Sequence, residues 1–114
     1  MATVAMATAH PVVLARLGHA ISDPTRCRLL LTLCAGPAYP AELADALGVS
    51  RTNLSNHLAC LRGCGLVVAV PEGRRSRYEL ADRRLAHAIG DLVELALAID
   101  PESVCAVDAE HRCS

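Results

Sequence analysis

Hydrophobic residues recur every three or four positions over most of the 114-residue chain, which is the spacing of helices that bury one face. Asp23 and Ser50 are residue types that cap helix N-termini, and Gly48 ends a helix shortly before Ser50. The pattern therefore predicts five helices, over residues 12–21, 25–35, 40–47, 51–64 and 82–99.

Between the last two helices the pattern changes to that of two short strands. The apolar run 66–70 and the segment 77–80 flank a basic turn over 71–76. The third and fourth helices, joined by a tight turn, form a helix-turn-helix pattern. A helix-turn-helix followed by a basic hairpin predicts a winged helix-turn-helix, mainly α with a β-hairpin wing. We expect this domain to span 12–99, between a flexible N-terminal extension (1–11) and a C-terminal metal-binding tail (100–114).

Composition narrows the class of protein. Hydrophobic residues make up 53% of the chain, yet it lacks Phe and Trp, so the core is expected to be aliphatic. This much apolar surface on a small domain favours an oligomer. No stretch approaches the length of a membrane helix and no basic segment marks a signal peptide, so we expect a cytoplasmic protein without a membrane partner. A domain of this size has little room for a catalytic cleft, and we expect no enzyme.

Positive charge is concentrated in one part of the chain. The net charge is only −1, but all 11 basic residues are Arg, and seven of them lie between 51 and 84. On a helical wheel, Leu54, Leu58 and Leu61 form the buried stripe of the fourth helix, and short polar residues point away from it. Such a face suits the major groove of double-stranded operator DNA, and wing arginines suit phosphates or the minor groove. The predicted DNA-binding residues are Arg51, Thr52, Asn53, Ser55, Asn56, Arg74, Arg75 and Arg77.

Six cysteines are many for a chain of this length. Without an export signal, reduced thiols or metal ligands are favoured over disulfides. Cys60 and Cys64 lie one helical turn apart, off the leucine stripe, and can therefore bind one ion together. Cys105 follows the last helix, where a packing role is least expected. Three thiolates favour large soft cations, so the predicted metal is Cd²⁺ or Pb²⁺, with Zn²⁺ possible if a further ligand is added.

The remaining candidate ligands are given structural roles. His57 is expected to be a structural histidine on the flank of the fourth helix. Cys27 and Cys34 lie seven residues apart on the second helix, which favours packing in the core or at an interface. His111 and Cys113 are expected to form a terminus without a role, although Cys113 stays open as a fourth ligand.

Three segments of the chain resemble the ArsR/SmtB family of metal-sensing repressors. These are SDPTRCRLLLTL (22–33), SRTNLSNHLACLRGCGLV (50–67) and EGRRSRYEL (72–80). The family pattern is matched by Ser55, His57, Leu58, Leu61, Gly65, Leu66 and Val67. The resemblance, which covers 14–99, implies a homodimer whose first and last helices form the interface.

Two cysteines in the recognition helix and one in the tail are a specific pattern within that family, similar to its cadmium and lead sensors. This resemblance implies that Cys105 reaches the site from the other subunit, although the residues alone leave open whether the site lies within one subunit. Two other metal sites of the family are absent. Pro40–Leu43 replaces a Cys-x-Cys box, and Asp82 is followed by Arg84 and by apolar residues where a zinc site is expected. Both departures favour sensing by the three cysteines.

The sequence thus predicts a repressor that binds operator DNA as an apo dimer and dissociates when Cd²⁺ or Pb²⁺ binds three thiolates. One alternative is a thiol-redox repressor of the same fold, in which a disulfide from Cys105 to Cys60 or Cys64 controls DNA binding. The other, from a different class, is a metal-buffering protein that does not bind DNA, which gives the wing arginines no purpose.

Overall fold

The computed structural model describes residues 10–99 and contains, within them, five α-helices and one β-hairpin. The helices are α1 (Pro11–Ala20), α2 (Pro24–Ala35), α3 (Pro40–Leu47), α4 (Arg51–Gly63) and α5 (Arg83–Ile99), and the strands are β1 (Val67–Glu72) and β2 (Arg75–Leu80). The predicted fold class is confirmed, and each helix begins and ends within one residue of its predicted bounds. The chain divides into two compact units between Asp82 and Arg83. The predicted tail and residues 1–9 of the predicted extension lie outside the described residues.

Capping side chains set where α2 and α4 begin. The Asp23 carboxylate accepts a hydrogen bond of 3.0 Å from the Arg26 N–H at the start of α2. The Ser50 hydroxyl accepts one of 3.0 Å from the Asn53 N–H at the start of α4. Each cap satisfies an amide that has no partner within its helix. Gly48 ends α3 in the left-handed region, at φ 68°, so the chain turns into α4 within three residues.

The core of the first unit is aliphatic, as predicted. Its most deeply buried side chains belong to α2, α3 and α4, and they are Leu29, Leu30, Leu43, Leu54 and Leu61. Full burial of a leucine stabilises a fold by roughly 1.5–3 kcal/mol. Because Leu54, Leu58 and Leu61 all point inward, they fix the rotation of α4 about its axis and leave its polar face outside.

The hairpin is longer than predicted and its turn is shorter. Strands β1 and β2 pair from Val67↔Leu80 to Glu72↔Arg75, so only Gly73 and Arg74 form the turn. Pro71 lies inside β1 rather than in the turn, since β1 pairs only with β2 in the described sheet and its outer edge needs no N–H from proline. At the other end of the hairpin, Ala38 and Tyr78 exchange backbone hydrogen bonds of 3.0 and 2.8 Å. The wing is therefore fastened to the loop before α3.

Two helices carry apolar side chains that the described chain leaves exposed. In α1 these are Val12, Val13 and Leu14, and in α5 they are Leu92, Val93, Leu95, Leu97 and Ile99. No residue of α5 is buried among the residues described. Within 10–99, no helix is long and apolar enough to span a bilayer.

Candidate DNA-binding surface and thiol pair

The N-terminal half of α4 presents five polar side chains to solvent, which we call the reading face. All five are exposed, and within residues 10–99 none of their side chains forms a hydrogen bond or ion pair with another protein group. They are Arg51, Thr52, Asn53, Ser55 and Asn56. Their donors and acceptors are therefore available to a partner. The helical wheel anticipated this placement, because the leucine stripe defines which side of α4 is buried.

The three wing arginines that the sequence grouped together have different surroundings. Arg74 lies in the two-residue turn and is exposed. The guanidinium of Arg75 stacks on the Tyr39 ring, 3.6 Å from its centroid. The Arg77 side chain is half-buried and forms ion pairs with Glu72 and, at 3.4 Å, with Glu79. Arg77 thus uses its charge within the wing, whereas Arg74 and Arg75 face outward.

The register of the hairpin explains the position of Arg77. Glu72 lies opposite Arg75, so Arg77 is its diagonal neighbour across the two strands. Glu79 is two residues beyond Arg77 on the same strand and therefore lies on the same face. Alternating opposite charges were visible in the sequence, but the predicted six-residue turn hid their pairing.

Tyr39 is a residue that the sequence analysis missed. It precedes α3, and its hydroxyl donates a hydrogen bond of 2.5 Å to Glu72 in the wing. This hydrogen bond to Glu72, with burial as a smaller cause, raises the pKa of Tyr39 above its usual value. The phenol is therefore neutral at physiological pH. Tyr39 lies 33 residues before Glu72, and nothing local in the sequence indicated their contact.

The thiol pair, Cys60 and Cys64, lies at the other end of α4. Both thiols are free and half-buried, and they lie one helical turn apart. Cys64 caps the helix, since its N–H donates to the Cys60 carbonyl at 3.0 Å. Its thiol also points at the Arg16 carbonyl of α1, with the sulfur 3.9 Å from that oxygen. The pair therefore lies on the side of α4 that faces α1.

The surroundings of Cys64 favour its protonated thiol. Burial raises the pKa of Cys64, because a thiolate there loses hydration. The neighbouring Cys60 raises it further, and the guanidinium groups of Arg16 and Arg26 oppose the shift. A soft cation that replaces the thiol protons would remove the repulsion between two adjacent thiolates.

The side chains beside the pair have partners of their own. His57 Nε2 lies 3.9 Å from the carboxylate of Asp23, and only 16% of the His57 side chain is exposed. The Cys27 thiol donates a hydrogen bond of 3.1 Å to the Ile21 carbonyl, and burial raises its pKa. Burial also raises the pKa of Cys34. These surroundings agree with the packing roles expected for all three.

Two of the three predicted metal ligands are thus brought together. Among residues 10–99, no group of three His, Cys, Asp or Glu side chains is arranged to hold a metal ion. The third predicted ligand, Cys105, lies outside the described residues, as do His111 and Cys113. A complete thiolate site on this chain therefore requires a ligand from beyond Ile99 or from a second chain.

Comparison with known proteins places this architecture among bacterial regulators. Residues 23–68 match the bacterial regulatory protein, arsR family. The chain is 58% identical to the HTH-type transcriptional regulator CmtR of Mycobacterium tuberculosis over 95 residues, which are 83% of this chain and 80% of that protein. It is 37% identical to a probable mercury resistance operon repressor of Streptomyces lividans, over 98% of this chain and 86% of the relative.

Solved structures show the same fold. The NMR structure of the cadmium metal-sensor CmtR from M. tuberculosis superposes with a TM-score of 0.63 at 59% identity, covering 81% of this chain and 96% of that one. A homodimeric winged helix-turn-helix DNA-binding domain from Mycobacterium bovis, a possible ArsR-family transcriptional regulator, superposes with a TM-score of 0.77 at 28% identity. That match covers 85% of this chain and 91% of the M. bovis chain. These relatives are regulators with a DNA-binding fold and not enzymes.

Proposed function

Because the chain belongs to the ArsR family of bacterial regulatory proteins, we propose that it is a transcriptional repressor that binds operator DNA as an apo homodimer and releases it on binding Cd²⁺ or Pb²⁺. Cys60, Cys64 and Cys105 are the proposed ligands. One observation carries the proposal: the thiol pair and the reading face occupy opposite ends of a single helix. The proposed compartment is the cytoplasm, where DNA is present and thiols stay reduced.

DNA binding is supported by the reading face and the wing. Short polar side chains at the start of a recognition helix reach base edges in the major groove. The exposed guanidinium groups of Arg51, Arg74 and Arg75 supply the sequence-independent attraction to phosphates. Arg77 contributes less than the sequence suggested, because Glu72 and Glu79 already hold its side chain.

A homodimer is supported by the exposed apolar side chains of α1 and α5. Val12 and Leu14 of α1 are each 68% exposed, and α5 exposes a further row of large aliphatic residues. Apolar patches of this kind mark association surfaces. Two copies also give two recognition helices, which suits a roughly palindromic operator with half-sites one turn of DNA apart. The homodimeric M. bovis domain has the same fold.

The metal preference is supported by the chemistry of the donors. Two thiols one turn apart can share one ion, and Cys105 would complete a three-thiolate set. Such a set suits Cd²⁺ and Pb²⁺, and Zn²⁺ binding would require a fourth ligand. The M. tuberculosis relative is a cadmium sensor, and the S. lividans relative makes Hg²⁺ a further soft cation to test.

Release of DNA follows from what the thiol pair touches. On ligation Cys64 loses its proton and can no longer donate to the Arg16 carbonyl of α1. The C-terminal end of α4 thereby loses its contact with α1 and gains, through the metal, a link to Cys105. Because α4 is a single element, its reading face shifts or loosens with it. A coupling free energy of about 1–3 kcal/mol is enough to change operator affinity by roughly 5- to 150-fold.

The test is fluorescence anisotropy of the protein on DNA from upstream of its own gene, titrated with Cd²⁺, Pb²⁺, Zn²⁺ and Hg²⁺ under reducing, anaerobic conditions. We expect Cd²⁺ or Pb²⁺ to release the wild-type protein. Cys60→Ser, Cys64→Ser and Cys105→Ser should each bind DNA normally and ignore the metal. Cys34→Ser is the matched control, since it removes a half-buried thiol from α2 and should respond as wild type does.

Other outcomes select the alternatives. Normal release of either Cys60→Ser or Cys64→Ser by Cd²⁺ would refute the ligand assignment. Release by peroxide and not by metal would favour the redox repressor. Metal binding without any DNA binding would leave the metal buffer.

A further inference from the structure

A small cleft lies between the wing and the N-terminal ends of α3 and α4. Its volume is about 280 Å³. Ligand pockets begin at roughly 300 Å³, so this cleft fits a single small group. Seven residues line it, namely Tyr39, Pro40, Ala41, Arg51, Arg74, Arg75 and Ser76, and we call it the arginine cleft. These lining residues bring three positive charges and no carboxylate, so the arginine cleft is suited to an anion.

Arg75 is held in place by an aromatic platform. Its guanidinium lies 3.6 Å from the centroid of the Tyr39 ring, a cation–π arrangement that restricts a long and otherwise mobile side chain. Tyr39 is itself anchored, because its hydroxyl donates to Glu72 across the gap between the loop and the wing. The direction of Arg75 is therefore set before a ligand arrives.

Glu72 is the wing carboxylate that joins this network, and its charge is partly compensated. It forms an ion pair with Arg77 and accepts the Tyr39 hydroxyl. Arg77 shares its charge between Glu72 and Glu79, and Glu42 accepts the Tyr39 N–H at the start of α3. These three carboxylates face four guanidinium groups, so the net charge around the arginine cleft stays positive. Ala41 adds a backbone N–H in the first turn of α3, where amides have no partner within the helix and favour anions.

We propose that the arginine cleft binds one phosphate of the DNA backbone in each half-site, and that Tyr39 is the positioning residue that directs Arg75 towards it. The inference rests on the proposed DNA binding and adds to it a site distinct from the base-facing side chains of the reading face. A phosphate is the favoured anion because Arg51, a wall of the cleft, is also the first residue of the reading face. A phosphate held there fixes the register of the wing against α4.

The test removes the charge of one DNA phosphate and, separately and together with it, the charge of Arg75. Duplexes covering the protein's footprint upstream of its own gene would each carry a single methylphosphonate, moved one position at a time. In wild type we expect one position in each half-site to weaken binding about tenfold, as for a lost charged hydrogen bond. Arg75→Gln should weaken binding to the unmodified duplex by a similar factor and lose much less than wild type from methylphosphonate at that position, since only Arg51 and Arg74 still attract that phosphate.

Arg62→Gln is the matched control. It removes the same charge from α4 near its C-terminus, roughly 16 Å along the helix from Arg51, which exceeds the screening length at physiological salt. It should retain the wild-type methylphosphonate profile.

Tyr39 is tested by two substitutions. Tyr39→Leu removes the platform and should flatten the methylphosphonate profile at the same position, whereas Tyr39→Phe keeps the ring under Arg75 and should preserve most of it. A purely structural role for Tyr39 would instead weaken binding to every duplex by the same factor. That uniform loss would overturn the positioning role.

Two negative results have different meanings. If wild type binds the unmodified DNA but the losses from methylphosphonate and Arg75→Gln multiply independently at every position, the phosphate site is wrong and DNA binding stands. If wild type binds no DNA in any duplex, the proposed function itself fails.

Discussion

The two ends of α4 differ in every property that matters for binding. The N-terminal end carries five exposed polar side chains that are not bonded to the rest of the described chain. The C-terminal end carries two half-buried thiols one helical turn apart, of which Cys64 points at the Arg16 carbonyl of α1. An open polar end suits a large external partner, and an enclosed soft end suits a small ion. One helix can therefore hold two different ligands without their competing for the same atoms.

The wing arginines repeat this contrast on a smaller scale. Arg74 and Arg75 project to the arginine cleft, whereas Arg77 is enclosed by two carboxylates. Three residues that look equivalent in the sequence thus divide into two that are exposed and one that forms ion pairs within the wing. The charge pattern along the chain does not distinguish Arg77 from the other two, whereas the hairpin register does.

The largest expected effect is on the free energy of unfolding, when the packing of α4, which joins the two ends, is weakened. Leu61 is fully buried beneath the C-terminal half of α4, and Leu61→Ala should lower the free energy of unfolding by about 2–5 kcal/mol. Chemical denaturation monitored by circular dichroism measures it. Leu31→Ala makes the same deletion on α2 where 49% of the side chain is exposed, and it should cost no more than about 1 kcal/mol. Equal losses in the two variants would show that Leu61 is not a core residue.

The next effect concerns protons at the enclosed end. Burial and the neighbouring Cys60 raise the pKa of Cys64, so this thiol is protonated at neutral pH and below. Metal must displace that proton, and the affinity for Cd²⁺ should therefore rise with pH. A displaced proton gives a factor of ten in affinity per pH unit, so the Cys64 proton contributes about 1.4 kcal/mol per unit below its pKa.

Competition titrations with a chelator between pH 6 and 8 would measure this dependence. Cys64→Ser should reduce the slope by one proton, and Cys34→Ser should leave it unchanged. A Cd²⁺ affinity of wild type that stays constant across this range would contradict a protonated Cys64 as metal ligand.

Much of this architecture could be predicted because it is encoded locally. Asp23 followed by Pro24 predicted the start of α2, and in the structure the Asp23 carboxylate accepts a hydrogen bond from the Arg26 N–H. The leucine stripe fixed which side of α4 is buried, and with it the exposure of Ser55 and Asn56. The juxtaposition of Cys60 and Cys64 needed only helical spacing.

What could not be predicted depends on contacts between distant segments. Pro71 suggested a turn because proline usually ends a strand, but the free edge of a two-stranded sheet tolerates it. Because the turn is shorter than predicted, Arg77 lies within β2 beside Glu72 and Glu79 and forms ion pairs with both. The contact of Tyr39 with Glu72 and Arg75 joins a loop before α3 to a hairpin more than thirty residues later, and no periodicity encodes it.

The most direct test of the central claim is a closed thermodynamic cycle that links the two ends of α4. Cd²⁺ affinity would be measured for the free and the DNA-bound dimer, and DNA affinity with and without Cd²⁺, all at one pH and salt concentration. We predict that DNA lowers Cd²⁺ affinity by the same factor by which Cd²⁺ lowers DNA affinity, within roughly 5- to 150-fold, and that Cys60→Ser reduces this factor to one. Equal Cd²⁺ affinity in the free and DNA-bound states would mean that the two ends are not coupled and would contradict the account.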